Sequence, residues 1–303
     1  MILDLFAGAG GWEVGLAPLG RAAIGIEWDR HACATRAAAE LTTIRADVTN
    51  YPRERFAGRV EGLIASPPCQ DFSVGGLRAG LGGDRGRLVM EVLRWTEALR
   101  PRWIACEQVP PVLPIWRSFA ETMGEWGYRT WTGILNAADF GIPQVRNRAI
   151  LMASMDPFDL PQPTHSEHAY PGAPTLDGQH LKPWVSMGEA CGWPAGTLMG
   201  WPRGARGGTF RRRALFDEAR PAQTITTGAR DGLRGLPSET GAITSWKQSD
   251  DPGLTFITPA EGSILQGFPV DYPWQGNRRT QFCQIGNAFP PPVAAAVLGA
   301  LTA

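Results

Sequence analysis

The sequence predicts an α/β protein in which helices flank a parallel sheet and a second, small irregular domain is attached. Three observations carry this. Over roughly the first fifty residues, apolar runs alternate with helical periodicity three times, the pattern of successive βα units. The alternation then continues to Ala153, with proline or glycine at the breaks. From Asp156 to Pro252 periodicity weakens while prolines, glycines and tryptophans become frequent. On this reading 1–163 and 253–303 form the main domain, with a closing helix over 291–301, and 164–252 forms the small one.

The first strand is expected over 2–6, followed by the turn Ala7-Gly8-Ala9-Gly10-Gly11 and a helix over 12–19. Strand, glycine turn, helix is a nucleotide-binding opening. A second strand over 22–26 ends in Glu27-Trp28-Asp29, and an alanine-rich helix over 31–41 leads to a third strand, 44–48. An acidic residue about twenty positions after the glycine turn is placed to accept hydrogen bonds from ribose hydroxyls. Trp28 offers an adenine a flat face, and Asp47 an acceptor for its amino group. The glycines lack the GxGxxG spacing and the turn has no lysine, so an adenosine pocket is expected without a need for a pyrophosphate.

The fourth strand, 60–65, runs into Ser66-Pro67-Pro68-Cys69-Gln70-Asp71-Phe72-Ser73. The prolines fix φ and make a stiff pedestal for Cys69, while Gly75, Gly76, Gly80, Gly82 and Gly83 read as a mobile flap. A rigid nucleophile followed by a flexible lid is an enzyme-like arrangement. Taken alone, Cys69 fits a buried structural cysteine equally well. A helix over 88–99 stops at Arg100-Pro101, and a strand over 103–106 delivers Glu107-Gln108-Val109. The carboxyl ends of neighbouring parallel strands share a crevice, so Glu107 and Cys69 can face one ligand. A helix over 116–127 and a strand over 130–135 lead to Gln144-Val145-Arg146-Asn147-Arg148 and a further strand, 149–153. Arginines at i and i+2 of an extended segment point to one side and suit a phosphate or carbonyl oxygen, with a structural salt bridge as the plainer alternative.

Five scattered cysteines without a CxxC pair argue against a disulfide framework and against a zinc site. Neither a signal peptide nor a membrane-length apolar span is read in the chain, so a soluble protein of a reducing, cytoplasmic compartment is expected. Formal net charge is zero, so a polyanion must be held by a local patch. The segment 203–213, with Arg203, Arg206, Arg211, Arg212 and Arg213 among glycines and one aromatic, has the composition of a loop that follows a phosphate backbone, or of a solvated surface loop.

Outside about 156–219 these pieces, in their order, resemble the DNA (cytosine-5)-methyltransferases of bacterial and phage type. Residues 4–11 resemble the S-adenosylmethionine loop, Glu27-Trp28 and Asp47-Val48 the ribose and adenine contacts, and Pro67-Pro68-Cys69-Gln70 the catalytic loop. Glu107-Gln108-Val109 stands where the family has Glu-Asn-Val, and 144–148 matches its Gln-x-Arg-x-Arg segment. Residues 220–227 and 284–287 resemble its last two motifs.

The resemblance implies a Rossmann-like S-adenosylmethionine-dependent methyltransferase sheet with a small target-recognition domain. It implies a cofactor site at Phe6, Ala7, Gly8, Gly10, Gly11, Glu27, Trp28, Asp47, Val48, Pro67, Leu88, Asn287 and Ala288, with S-adenosyl-L-homocysteine as product and no metal. Cys69 would add to cytosine C6, making C5 nucleophilic; Glu107 would protonate the ring at N3; Arg148 and Arg146 would hold the O2 side. Because C6 is unreachable inside a duplex, the cytosine is expected to be flipped out. Double-stranded DNA would be held by Gln70, Ser73, Arg85, Arg206, Arg211, Arg212, Arg213 and Thr227. The resemblance further implies a nucleoid-associated monomer and a restriction–modification setting, with a cognate restriction enzyme as companion. Three departures stand out: Gln108 in place of asparagine, which bears on the support of the cysteine loop; Ala260 in place of arginine; and a short variable region, 164–219, fitting a short or relaxed recognition site. A methyltransferase acting on RNA and a catalytically silent DNA-binding relative are the alternatives; a dehydrogenase using a nicotinamide cofactor is disfavoured by the glycine spacing.

Overall fold

A computed structural model describes residues 1–68, 86–169, 180–201, 214–225, 254–255 and 257–302. By their contacts these form two units. The first comprises Met1–Asn136, Asn147–Gln162 and Pro291–Ala303, and the second Ala137–Arg146 and Pro163–Pro290. This division differs from the expected one in sending 137–146 and 253–290 to the second unit.

The first unit is built on seven strands: β1 (Ile2–Leu5), β2 (Ala23–Glu27), β3 (Thr43–Arg45), β4 (Gly62–Ala65), β5 (Trp103–Gln108), β6 (Arg129–Asn136) and β7 (Asn147–Ser154). Their order across the sheet is β3-β2-β1-β4-β5-β7-β6. β1 to β5 are parallel, as the βα pattern requires. β7 runs antiparallel to both β5 and β6, so the sheet is mixed and not wholly parallel. Ten residues separate β6 from β7 without a helix long enough to carry a parallel crossover, and a chain that returns so soon must pair antiparallel.

β1, β4 and β5 are buried along their whole lengths, which is why they read as mainly apolar runs, broken by Asp4 in β1 and by Glu107 and Gln108 at the end of β5. Helices α1 (Gly11–Leu16), α2 (Arg30–Ala38), α3 (Glu91–Leu99), α4 (Leu113–Glu125) and α8 (Pro291–Thr302) complete the unit. Ahead of Pro101, α3 ends on Arg100, which takes a left-handed φ of 43°. α1 and α8 touch at Gly15, where a Cβ would lie 2.6 Å from the Ala294 Cβ, so only glycine permits the approach. Leu3, Leu5, Leu63, Ile104, Trp95, Trp116 and Leu151 lie in the core.

In the second unit, the described residues hold short strands β8 (His165–Ser166), β9 (Lys182–Pro183), β10 (Leu198–Trp201), β11 (Ala214–Asp217) and β12 (Leu254–Thr255), with helices α5 (Met187–Cys191), α6 (Pro259–Leu265) and α7 (Arg278–Asn287). Thr258 and Glu261 form a reciprocal capping box at the start of α6. The apolar stretch 278–302 is not one helix: Ala288 is extended (φ −65°, ψ 141°) and separates α7 from α8.

Candidate active site

The turn after β1 carries three left-handed residues within five, the densest such run among the described residues of the first unit. Phe6, Gly8 and Gly10 have φ of 58°, 52° and 100°, all left-handed, and Phe6 is not a glycine. Such a turn persists only where its neighbours over-determine it. Ala7 donates its N–H to the Ile26 carbonyl (3.2 Å), and Gly10 donates to Ala7 (3.1 Å). Glu27, at the end of β2, accepts the Gly8 N–H on Oε2 (2.8 Å) and those of Trp28 (2.9 Å) and Asp29 (2.8 Å) on Oε1. Burial pushes the Glu27 carboxyl above its ordinary range, against the opposing pull of those three donors. The carboxylate therefore braces the turn itself, a task the sequence reading did not give it.

Trp28 is 69% exposed, an unusual state for an indole on a strand end, and it leaves a flat apolar face open. Asp47 is exposed and accepts from the Thr49 N–H (2.9 Å) and hydroxyl (2.8 Å). Val48 is buried, and its carbonyl accepts from the Trp95 indole (3.3 Å). Gly11 opens α1, and Leu88 lies half-buried in a 3₁₀ turn, Gly86–Met90. A glycine turn, a carboxylate on the next strand and an open indole beside it fit an adenosine, whose ribose and base need an acceptor and a flat face.

At the neighbouring strand ends the chain leading to Cys69 is tied down twice. The Trp12 indole N–H donates to the Ser66 hydroxyl (2.8 Å), and Gln108 donates its amide to the Pro67 carbonyl while its Oε1 accepts the Val109 N–H. Gln108 is 3% exposed and Pro67 is buried, so these bonds have little competition from water. The longer side chain thus serves as a bracket for the cysteine loop. Glu107, 6% exposed, ends β5 with its Oε2 3.3 Å from the Nε of Arg148 on β7. The antiparallel pairing of Glu107 with Ile150 sets this meeting, because Arg148 sits two residues along β7 on the same face.

Arg146 corrects the expectation that both arginines serve one ligand oxygen. It belongs to the second unit, is 1% exposed, and donates to the carbonyls of Ile225 (2.9 Å), Gly286 (2.7 Å) and Ala288 (3.2 Å). A guanidinium committed to buried backbone carbonyls is holding the fold together. Gln144 acts alongside it, donating to Leu265 and to Gln266 (both 2.9 Å) and accepting from Ile225 (3.1 Å). Asn287 ends α7 and is exposed, and the Ala288 carbonyl also accepts from Gln266 (2.5 Å).

Cys69, Gln70, Ser73, Arg85, Arg206, Arg211, Arg212, Arg213 and Thr227 lie outside the described residues. Among the described residues, no cluster of three or more His, Cys, Asp or Glu side chains is placed to hold a metal ion. The sequence reading missed Trp12 and Ser66. Glu13 and Arg36 were also unnamed, although charged residues on small-residue helices were their signal, and Asp4 was named only as the start of the 4–11 loop.

A mostly parallel sheet with a glycine turn after its first strand and a carboxylate at the end of its second is the arrangement of a nucleoside-binding α/β fold. The comparisons make this specific. The model of the C-5 cytosine-specific DNA methylase family matches residues 1–180 and 211–303, and the chain belongs to that family. It is a DNA cytosine-5 methyltransferase. The chain is 26% identical over 99% of its length to the Type II methyltransferase M1.HphI of Haemophilus parahaemolyticus, of which 86% is covered. It is 30% identical over 62% of its length to the Type II methyltransferase M.AquIA of Picosynechococcus, again covering 86% of that protein. Among solved structures it resembles the methyltransferase EhMeth of Entamoeba histolytica (TM-score 0.66, 15% identity, 99% and 97% coverage) and the Dnmt2 methyltransferase of S. pombe (TM-score 0.67, 16% identity, 99% and 97% coverage), a likeness of fold.

Proposed function

We propose that the protein methylates C5 of a cytosine flipped out of double-stranded DNA, through a covalent adduct between Cys69 and C6. The observation that carries the proposal is the ion pair of Glu107 and Arg148 at the carboxyl end of β5, beside the tethered stem of the cysteine loop. The family implies S-adenosylmethionine, which when bound supplies an electrophilic methyl group on sulfur. Phe6, Ala7, Gly8, Gly10, Gly11, Glu27, Trp28, Asp47, Val48, Pro67 and Leu88 would hold it, with the open indole of Trp28 against the adenine.

Cytosine C5 is a poor nucleophile, so addition of the Cys69 thiolate to C6 is what gives C5 electron density. As charge develops on the ring, Glu107 acts in its protonated form and donates at N3, while Arg148, its partner in the free protein, faces the O2 side. Once C5 carries the methyl group, a base takes the C5 proton, the C5–C6 double bond re-forms, the N3 proton returns to Glu107 and Cys69 leaves as its thiolate. Arg146 is assigned a structural part in place of a contact with the base. Gln70, Ser73, Arg85, Arg206, Arg211, Arg212, Arg213 and Thr227 would bind DNA, with 164–252 as the recognition region. The Type II relatives support a restriction–modification role. The reading places a monomer in the cytoplasm.

Methyl transfer from labelled S-adenosylmethionine to DNA, with bisulfite sequencing of the product and RNA as a parallel substrate, tests the proposal. Labelled cytosine in DNA, abolished by Cys69→Ala, is the expected result; no incorporation, or incorporation indifferent to that change, overturns it.

A further inference from the structure

Beneath the cofactor turn lies a buried charged group with no part in the transfer chemistry. Arg36 of α2 is 0% exposed and threads into the sheet, donating from Nε to the Thr43 hydroxyl (2.8 Å), from Nη1 to the Ala7 carbonyl (3.3 Å), and from Nη2 to Glu13 Oε1 (2.5 Å) and the Thr42 carbonyl (3.2 Å). Gly25 makes the space: a Cβ there would lie 2.0 Å from Nη2. Asp4, also 0% exposed, adjoins Glu13. Both oxygens of Asp4, and Oε2 of Glu13, are buried without a hydrogen-bond donor.

Two ionised carboxylates and one guanidinium would leave a buried net negative charge, which a dry interior does not tolerate. A proton on Asp4 resolves both problems, because a protonated carboxyl can donate to Glu13 Oε2. Consistently, burial, then the charge of Glu13, raises the Asp4 carboxyl well above its ordinary range, against the pull of Arg36. The neutral assembly ends on the Ala7 carbonyl, while Glu27 grips the adjacent Gly8 N–H. The Ala7–Gly8 peptide within the left-handed turn is thereby held at both its carbonyl and its N–H.

We propose that Arg36, Glu13 and Asp4 form a positioning network for the cofactor turn, setting affinity for the cofactor separately from the rate of the chemical step. The inference rests on the reading of residues 6–11 as the cofactor site. Binding of S-adenosyl-L-homocysteine, followed by calorimetry, tests it together with single-turnover transfer at saturating cofactor. Arg36→Lys keeps the charge but cannot bond Ala7, Glu13 and Thr43 together; its Kd should rise about tenfold, the equivalent of one charge-assisted hydrogen bond, with the transfer rate within about twofold of wild type. Thr43→Val, a milder release of the same guanidinium, should raise Kd about threefold. A core cavity remote from the turn, Met123→Ala, controls for lost stability. Unchanged Kd in both Arg36→Lys and Thr43→Val, or an equal rise in Met123→Ala, overturns the network. Failure of the wild-type protein to bind the nucleoside overturns the cofactor reading and the inference with it.

Discussion

The Nε of Arg148 lies 3.3 Å from Oε2 of Glu107, and the two side chains are 12% and 7% exposed, so they form a nearly dry ion pair. At such burial the pair orients the carboxyl and fixes which oxygen faces outward. Glu107→Gln keeps the shape but removes the proton donor. It should lower single-turnover methyl transfer about 10²- to 10⁴-fold, the usual worth of a positioned general acid. Binding of S-adenosyl-L-homocysteine should be unchanged, a split that separates a chemical role from a structural one.

Gln108 brackets Pro67 and Val109 from a buried position. Gln108→Ala leaves the Pro67 carbonyl buried without that partner and should cost about 1–3 kcal/mol in urea unfolding. Gln108→Asn, one methylene shorter, cannot span both groups in the present backbone. It should therefore lose transfer rate as well as stability; full activity in the asparagine variant would show that the loop adjusts freely.

Asp4 gives the protein a signature in pH. Its carboxyl is raised in the fold, so the native state keeps a proton that the unfolded chain releases above about 3.9. Asp4 therefore contributes stability that is fully present below that point and is lost as pH rises toward its folded value. The groups facing it are Glu13 on α1, Glu27 on β2, Arg36 on α2 and the Cys106 thiol on β5, itself pushed up by burial. Asp4→Asn should flatten the fall in stability as pH rises above about 4, as measured by urea midpoints at successive pH values.

Much of this was legible in the residues, for reasons that differ by element. The strands of the sheet announced themselves because burial on both faces demands mainly apolar runs, and Arg100-Pro101 marked the end of α3 because proline forbids its continuation. Pairing direction left no such mark, so the reversed β7 was invisible. The pairing of Glu107 with Arg148 joins two residues that motif order names, whereas the burial of Arg146 left no such mark: an i, i+2 rule gives the side of a strand but says nothing about which carbonyls arrive from α7. Trp12 and Ser66 meet across 54 positions of sequence, a contact no local pattern encodes.

Glu27 makes the last prediction, because its carboxylate carries the turn on one oxygen and the start of α2 on the other. Glu27→Gln puts an amide N–H against one of these donor sets. If the amide faces Gly8, that N–H loses its acceptor; if it faces Trp28 and Asp29, two do. Hydrogen bonds to a charged acceptor are worth about 1.5–3 kcal/mol, which converts to about a tenfold to hundredfold rise in Kd for S-adenosyl-L-homocysteine. Glu27→Asp, one methylene shorter, keeps the charge yet should do as poorly, since it cannot reach Gly8 and Asp29 at once. Calorimetry on both variants checks this: equal weakening assigns Glu27 to bracing the turn, whereas near-wild-type binding by the aspartate would mean that its negative charge alone matters.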